Sequence, residues 1–417
     1  MAKTGIVFLL AATAFGQVKQ HIPRMEKVLK ENILGFWLPK TLDSVNGGYT
    51  MNHGPDGEAK GPGTKMIVTQ SRQVWLFSRA ARENFGDRKQ LLDAADHGYR
   101  FLRDKMWDQT NGGFYWEVDA TGKPLRAAKH MYGESFGLYA LSEYYRASGK
   151  KEVLELATRL FDLIEAKSHD KEFGGYIEDF EPDWTPRQGP EPSPMGPPDL
   201  KLMNTHLHLL ESMTAYYLAS HSPLARERLL ELISIQTNAV VRKGLTACTD
   251  KYDRNWTPRL EGPYARVSYG HDIENVWLIV DACKAAEVPV WPYVDLLKDL
   301  WDYSLRYGYD SVNGGFWYTG AFSKPADDFE KSWWVQAESL VSALYMYGLT
   351  ADRKYLDVFE KTWSFIDHYQ IDWDKGEWWP VVGKDLKGHG DKADIWKGGY
   401  HDGRAMMECI RVLREMK

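Results

Sequence analysis

Cysteine is scarce in this sequence, since only Cys248, Cys283 and Cys409 occur among its 417 residues. Three cysteines without metal-ligand spacing exclude a disulfide framework, and we interpret them as small buried apolar side chains. No apolar run is long enough to cross a membrane as a helix. Positive charge is not in excess either, because the net charge is −6, so we expect neither nucleic acid nor a membrane surface as a partner.

Sequence signatures of the common cofactor sites are also missing. Neither a G-x-G-x-x-G loop nor a P-loop occurs, so nucleotide cofactors lack support. No H-E-x-x-H pair supplies zinc ligands, and nucleophilic catalysis by an activated serine or cysteine is disfavoured. We therefore expect the functional site to hold no cofactor and no metal ion.

Aromatic residues, in contrast, are abundant at 13% of the chain, with 17 Trp and 23 Tyr. An excess of tryptophan fits a heavy apolar core. It also fits a carbohydrate site, where flat indoles stack on the apolar faces of sugar rings. Composition alone leaves both interpretations open.

The first residues resemble a secretory leader. Lys3 precedes a short apolar run over residues 5–15, and Ala14-Phe15-Gly16 has the small-residue pattern of a cleavage site. This pattern predicts a signal peptide over residues 1–16 and a periplasmic or secreted protein. The alternative is an apolar start of the first helix in a cytoplasmic protein.

Glycine pairs mark an internal repeat. The segment Asn46-Gly47-Gly48-Tyr49 recurs about every 62 to 70 residues, and six copies cover nearly the whole chain. An aromatic residue follows most copies, as expected for a turn that leads into a short extended segment. The later copies are Asn111-Gly112-Gly113-Phe114, Phe173-Gly174-Gly175-Tyr176, Lys243-Gly244-Leu245, Asn313-Gly314-Gly315-Phe316 and Lys375-Gly376-Glu377-Trp378.

Between these turns the apolar residues follow a helical period. Residues 90–106 and 153–164 carry them at spacings of three and four, and a second helix in each repeat is richer in aromatic and small residues. Six repeats of two helices predict a single-domain, all-α (α/α)6 barrel over residues 17–417; an open solenoid is the alternative. The proline-rich residues 183–198 predict a long loop over one mouth of this barrel.

Polar side chains cluster at equivalent positions of the second helices, which we predict to be the inner ones. Asn204 and His208 share one helical face with Glu211. His271 lies one turn before Glu274, and His401 one turn before Arg404. A single histidine on a helix is most often a core residue, but three in matching positions of three repeats predict a solvated functional cavity.

Histidines, carboxylates and an arginine suit acid–base chemistry. A neutral imidazole can take a weakly acidic C–H proton beside an aldehyde and return it. An inverting glycosidase needs two facing carboxylates instead, and Glu134, Glu274 and Glu338 keep that alternative open. A catalytically silent sugar-binding module is the third hypothesis.

At these residues the sequence resembles the N-acylglucosamine 2-epimerase superfamily, and within it the cellobiose 2-epimerases. The resemblance covers nearly the whole chain after the leader. Its marks are Asp43-Ser44-Val45-Asn46-Gly47-Gly48-Tyr49, Met203-Asn204-Thr205-His206-Leu207-His208, Tyr269-Gly270-His271-Asp272-Ile273-Glu274, Trp333-Trp334-Val335-Gln336-Ala337-Glu338 and Trp396-Lys397-Gly398-Gly399-Tyr400-His401-Asp402-Gly403-Arg404-Ala405.

The resemblance implies a 2-epimerase that interconverts glucose and mannose at the reducing end of a free saccharide such as cellobiose. It implies that His271 and His401 exchange the C2 proton and that His208 assists ring opening. The residues it assigns to the substrate are Asn204 beside His208, Arg72 at the C1 and C2 oxygens, Glu274 at His271 or at sugar hydroxyls, Trp333 and Trp396 as stacking platforms, and Tyr132.

Two departures from the family pattern leave the size of the sugar open. Glu134-Ser135 replaces the usual Gln-Ala, and the loop before Asn204 is rich in proline. A mannose 2-epimerase, an N-acylglucosamine 2-epimerase or an aldose–ketose isomerase would use the same histidines. We expect a small saccharide as the partner, and a monomer or a homodimer as the active form.

Overall fold

The computed structural model describes residues 18–189 and 193–416. The predicted leader, residues 1–16, lies outside them. Within the described residues the α-helices are α1 (Ile22–Lys27), α2 (Leu34–Lys40), α3 (Ile67–Arg82), α4 (Arg88–Phe101), α5 (Met131–Ser148), α6 (Lys151–Lys167), α7 (Met203–Ser220), α8 (Pro223–Ser234), α9 (Tyr269–Ala285), α10 (Val294–Gly308), α11 (Trp333–Thr350), α12 (Arg353–Phe365) and α13 (Tyr400–Glu415).

Wider π-helical turns continue several of these helices. One joins α1 to α2, and the others extend α4, α8 and α12. Their bounds are Val28–Ile33, Leu102–Met106, Ile235–Ala239 and Ile366–Gln370, and short 3-10 turns lie at Gly262–Tyr264 and Trp291–Tyr293.

The helices form two concentric layers. The odd-numbered helices from α3 to α13 are buried on nearly every face, whereas α6 buries only one stripe, which includes Val153, Leu160 and Ile164. A helix that is apolar on one side belongs in an outer layer, and one buried all round belongs inside. Each inner helix packs against the next, and α13 packs against α3. This ring confirms the predicted (α/α)6 barrel.

The glycine repeats form hairpin turns at one end of the barrel. Asp43 Oδ1 accepts hydrogen bonds from the backbone N–H groups of Val45 and Asn46, and the buried Lys65 donates to Asp43 Oδ2 at 2.8 Å. Gly48 has φ +68°, and a Cβ atom there would stand 2.6 Å from Gln70 Oε1. The same buried pair recurs as Lys129–Asp108, Lys201–Asp170, Lys331–Asp310 and Lys392–Asp372.

Each turn is tied to the inner helix that follows it. Gln70 accepts from the backbone N–H of Tyr49 and donates to the carbonyl of the same residue, both at 2.8 Å. Gln336 makes the same two bonds to Phe316. The amide side chain thus satisfies a buried peptide group that no strand partner reaches.

Short antiparallel strands precede most inner helices and surround one mouth of the barrel. In chain order, the fourteen described strands β1 to β14 are Lys65–Met66, Glu117–Val118, Pro124–Arg126, Lys129–His130, Asp179–Phe180, Lys201–Leu202, Val241–Arg242, Ala247–Cys248, Lys251–Tyr252, Arg266–Ser268, Thr319–Ala321, Lys331–Ser332, Val381–Val382 and Gly388–His389. Their pairings are β1–β2, β2–β3, β4–β5, β6–β9, β7–β8, β10–β11, β12–β13 and β13–β14.

The described parts of the proline-rich loop, residues 183–189 and 193–198, contain no helix and reach this mouth, where Met195 lines the central cavity. Among the described residues, no helix combines the length and apolar character needed to cross a bilayer.

Candidate active site

The N-terminal turns of the inner helices open onto one cavity of about 420 Å³. All nine residues assigned from the sequence line it: Arg72, Tyr132, Asn204, His208, His271, Glu274, Trp333, Trp396 and His401. Because helix N-termini carry partial positive charge, their convergence favours an anion at this position.

His208 is oriented by a carboxylate on its own helix. Its Nδ1 lies 3.0 Å from Glu211 Oε2. Burial would raise the pKa of Glu211, but Arg404 and His208 outweigh that effect and lower it to about 2. An ionised carboxylate can only accept, so Nδ1 of His208 carries the hydrogen and Nε2 keeps its lone pair.

His401 is oriented in the same way by a different helix. Its Nδ1 lies 2.6 Å from Glu338 Oε1, and the Trp277 indole donates to Glu338 Oε2 at 2.8 Å. Burial raises the pKa of Glu338, and Arg404 opposes that rise. Since Trp277 and Arg404 can only donate, we assign Glu338 as the acceptor, which leaves Nε2 of His401 unprotonated. Burial, together with Arg72 and Arg404, lowers the pKa of His401 well below its usual value.

The ring of His271 is held by packing. It lies against the Trp334 indole, with ring centroids 4.8 Å apart. The ring centroid of His401 lies 5.8 Å from that of the same indole. Burial lowers the pKa of His271 to about 4, while the charge of Asp250 opposes this. Two histidines from α9 and α13, the inner helices on either side of α11, therefore share one aromatic wall.

Glu274 follows His271 by one helical turn, but its carboxylate bonds to Arg404 instead of to His271. Its Oε1 accepts from Arg404 at 2.7 Å, and its buried Oε2 has no hydrogen-bond partner within residues 18–189 and 193–416. Burial and the nearby Glu338 raise the pKa of Glu274 well above its usual value. We assign Glu274 as the protonated member of this pair, with an O–H group available to a ligand in the cavity.

Glu274, Glu338 and His401 also bring three potential metal-ligand atoms within 4.8 Å of one another. The guanidinium of Arg404 donates to both carboxylates at 2.7 Å and supplies the positive charge of the cluster. The positive charge of Arg404 thus accounts for the close approach of these two carboxylates to each other and to His401.

Arg72 and the aromatic residues shape the rest of the cavity. Arg72 lies over the Phe136 ring at 4.2 Å and donates to the Tyr132 hydroxyl at 3.2 Å. Trp396 is 37% exposed at the mouth, and Trp333 is half-buried at its side. A guanidinium with apolar walls and open indole faces is a typical sugar-binding arrangement.

Several residues that the sequence left open face away from the cavity. Glu134 accepts from the backbone N–H of Phe114 and so occupies the turn position of Gln70. His206 does the same for the backbone N–H of Tyr176. Residues 133–137 have the sequence pattern G-x-S-x-G, but they lie within helix α5. There the Ser135 hydroxyl donates to the carbonyl of Tyr132 in the same helix. Glu134 is therefore unavailable to a facing carboxylate pair.

Sequence reasoning missed some residues of the site. For Glu211 and Arg404 it noted the spacing, one turn after His208 and His401, but it missed the hydrogen bonds of Glu211 with His208 and with Arg404. Asp250 lies outside the inner helices, and no motif marks it. The cavity also has lining residues that were not predicted, namely Met195, Tyr318, Asp328, Glu330, Ser332, Trp334 and Val381.

The fold and this cavity together define a class of helical-barrel enzymes that act on carbohydrates, here with three histidines on the cavity. Residues 47–402 match the N-acylglucosamine 2-epimerase (GlcNAc 2-epimerase) family, and the chain belongs to that family. The predicted family and the predicted carbohydrate isomerase class are thus confirmed.

Individual relatives are similar over almost their entire length. A cellobiose 2-epimerase of Dictyoglomus turgidum is 32% identical, over 92% of this chain and 96% of that protein. The structure of cellobiose 2-epimerase from Bacillus thermoamylovorans has a TM-score of 0.86 at 31% identity, and the match covers 94% of this chain and 99% of that one. A D-mannose isomerase of Marinomonas mediterranea is 26% identical, over 92% of this chain and 95% of that protein.

Proposed function

We propose that this enzyme inverts C2 of a reducing-end glucose to give mannose, and that its substrate is a β-1,4-linked disaccharide such as cellobiose. The observation that carries the proposal is the set of three imidazoles on one cavity, two of which present an unprotonated Nε2 next to a guanidinium. Relatives named cellobiose 2-epimerase support the choice of disaccharide.

The first step opens the sugar ring. His208 takes the proton from the O1 hydroxyl while the C1–O5 bond breaks, and it returns that proton to O5. The product is an open-chain aldehyde whose C2–H bond is acidified by the neighbouring carbonyl. Glu211 holds His208 in the tautomer that this step needs.

The second step removes the C2 proton. Nε2 of His401 takes it, the C2–H electrons form a C1=C2 double bond, and the carbonyl electrons move to O1. Arg72 and the helix N-termini stabilise the resulting cis-enediolate, because they place positive charge where the oxyanion forms. The O–H of Glu274 is available to a sugar oxygen.

The third step returns a proton to C2 from the other face. A protonated His271 donates it, the double bond is lost and the aldehyde re-forms as the mannose epimer. His401 then releases its proton to solvent and His271 takes one up. The reverse reaction exchanges the two roles, so each direction needs one neutral and one protonated imidazole.

An aldose–ketose isomerase is the second candidate, favoured by the D-mannose isomerase relative. It would form the same enediolate but receive the proton at C1 instead of C2. The products therefore distinguish the two reactions.

The test is incubation of cellobiose, mannose or N-acetylglucosamine with the enzyme in D2O, followed by NMR. Deuterium at C2 with an intact glycosidic bond is the expected result for cellobiose, and a ketose product would indicate the isomerase. His401→Asn and His271→Asn should each lower this exchange by roughly 10²- to 10⁴-fold. His97→Asn is the control, since His97 lies on outer helix α4 and contacts the carbonyl of Gly48. Release of glucose without exchange would overturn the proposal.

Export and assembly extend this proposal. We propose cleavage after Gly16 and a periplasmic or secreted enzyme, and N-terminal sequencing of the mature protein tests it. A monomer or homodimer is expected, and light scattering of the purified protein decides between them.

A further inference from the structure

Two of the three histidines rest on carboxylates that converge on one arginine. Arg404 extends from inner helix α13, and its NH1 donates to Glu211 Oε1. Its NH2 donates to Glu338 Oε1 and to Glu274 Oε1, both at 2.7 Å. A guanidinium presents a planar fork of donors, so one side chain can hold three carboxylates from three different helices.

Arg404 does not itself line the substrate cavity. It is 1% exposed and lies beneath the substrate cavity, in the floor that separates it from a small cavity of about 40 Å³ toward the other end of the barrel. The carboxylates that it holds are those that receive Nδ1 of His208 and of His401. Hydrogen bonds thus run without a break from one imidazole through Arg404 to the other.

We propose that Arg404 is the common positioning residue of His208 and His401, and that it fixes both rings in the tautomer that turns a basic Nε2 to the substrate. The proposal rests on the proposed function for its catalytic consequence, but not for the tautomers themselves. Without Arg404, Glu211 and Glu338 would be buried anions that lack their counter-charge. A proton on either carboxylate would then let it donate to Nδ1, which reverses the tautomer.

The charges around this arginine determine the pH effect of removing it. Glu211 faces it from α7, Glu274 from α9 and Glu338 from α11, while the Tyr400 hydroxyl lies on α13 itself. Arg72 from α3 is the second positive charge near His401. Arg404 lowers the pKa of both His208 and His401, after the larger effect of burial. Loss of Arg404 therefore raises both imidazole pKa values.

The experiment compares Arg404→Met and Arg404→Lys with the control Arg79→Met. Arg79 is a partly buried arginine of the inner layer, which pairs with Glu83 at 2.6 Å and with Glu408, away from the histidines. For Arg404→Met we expect kcat to fall roughly 10- to 100-fold with little change in KM, because Arg404 does not line the substrate cavity. The acid limb of the kcat/KM profile should move up by about one pH unit. Arg79→Met should leave that limb in place.

A second readout needs no substrate. Nitrogen-15 NMR of histidine-labelled protein should show His208 and His401 as Nδ1–H tautomers in the native enzyme and in Arg79→Met, but as a mixture in Arg404→Met. Arg404→Lys keeps the charge without the fork and should fall between the two; it also replaces Arg404→Met if that variant does not fold. Native tautomers and a native acid limb in a folded Arg404 variant would overturn the proposal. Absence of C2 exchange in the native enzyme, with the tautomer shift present, would overturn the proposed function alone.

Discussion

At the scale of single residues, the three histidines of the cavity differ in what supports them. His208 and His401 bind carboxylates through Nδ1, whereas His271 packs against Trp334 and has the charge of Asp250 as its electrostatic support. Carboxylate partners fix a tautomer and favour a base, while a nearby charge without such a bond tunes only the ease of protonation. We therefore assign His401 as the base whose tautomer is fixed, and His271 as the group whose protonated form depends on a nearby charge.

Asp250→Asn should make the protonated form of His271 less stable. Burial already lowers the pKa of His271 to about 4, and Asp250 is the largest opposing influence, so its loss lowers the pKa further. Proton return to C2 needs protonated His271, so the basic limb of the kcat profile should shift to lower pH by about one unit. The measurement is kcat from pH 3 to pH 9, a range that contains the pKa of His271. Asp253→Asn, which loses only a surface pair with Arg259, is the control. An unchanged limb would show that Asp250 does not act on His271.

Glu134 provides a test of stability. It is buried in a position where two other repeats have Gln70 and Gln336, and burial raises its pKa to about 8. Because the folded pKa exceeds the unfolded value, the folded protein holds more protons between about pH 4.5 and 8, and its stability falls as the pH rises through that window. Glu134→Gln should remove this loss, since Gln70 and Gln336 make both bonds to the matching peptide group.

The expected gain in unfolding free energy for Glu134→Gln is roughly 1–3 kcal/mol at pH 8 and near zero at pH 4. Thermal unfolding at several pH values measures it. C2 exchange should be unaffected, because Glu134 faces the turn. Equal effects at both pH values would contradict the assigned ionisation.

At the scale of elements, the glycine turns could be predicted from the sequence, whereas the side-chain contacts between helices could not. Gly47-Gly48 requires positive φ, and that local requirement is visible in the sequence of nearly every repeat. By contrast, His401 meets Glu338 across 63 residues and Arg404 meets Glu211 across 193. Such pairs depend on ring closure and on side-chain direction, which periodicity does not encode. The sequence therefore predicted residues that face the cavity, but not which side chains orient the histidines through hydrogen bonds.

The buried lysine–aspartate pairs are the repeated support of these turns. Lys331 donates to Asp310 at 2.7 Å and to the carbonyl of Gly314 at 2.6 Å. Lys331→Met leaves a buried carboxylate without its counter-charge and should cost about 3–5 kcal/mol of unfolding free energy. Lys354→Met breaks surface pairs with Asp302 and Asp352 and should cost at most about 1 kcal/mol. Urea denaturation measures both, and equal costs would mean that the turn pair is not a structural support.

At the scale of the whole molecule, the first and last repeats close the ring together. The Asn32 side chain donates to the carbonyl of Asp372 at 2.7 Å, and the backbone N–H of Glu377 donates to the carbonyl of Asn32. Arg24 pairs with Asp367 at 2.8 Å. The outer layer thus joins the beginning of the described chain to its sixth glycine turn. An open solenoid would leave both surfaces in water.

Asn32→Ala tests whether this closure governs folding as a unit. The substitution removes one of two donors to the carbonyl of Asp372, which keeps the backbone N–H of Gly376, and it should cost about 0.5–1.5 kcal/mol of unfolding free energy. In a closed ring the loss lowers the midpoint of one cooperative transition, whereas in a solenoid the end repeats would unfold first. Urea denaturation, followed by tryptophan fluorescence and by far-ultraviolet circular dichroism, compares the two cases. The control is Asn238→Ala, at an exposed residue in the π-helical turn Ile235–Ala239. Coincident transitions at a lower urea concentration are expected for Asn32→Ala. Two separated transitions would mean that the ends of the chain fold independently and that ring closure is not what holds the histidines on one cavity.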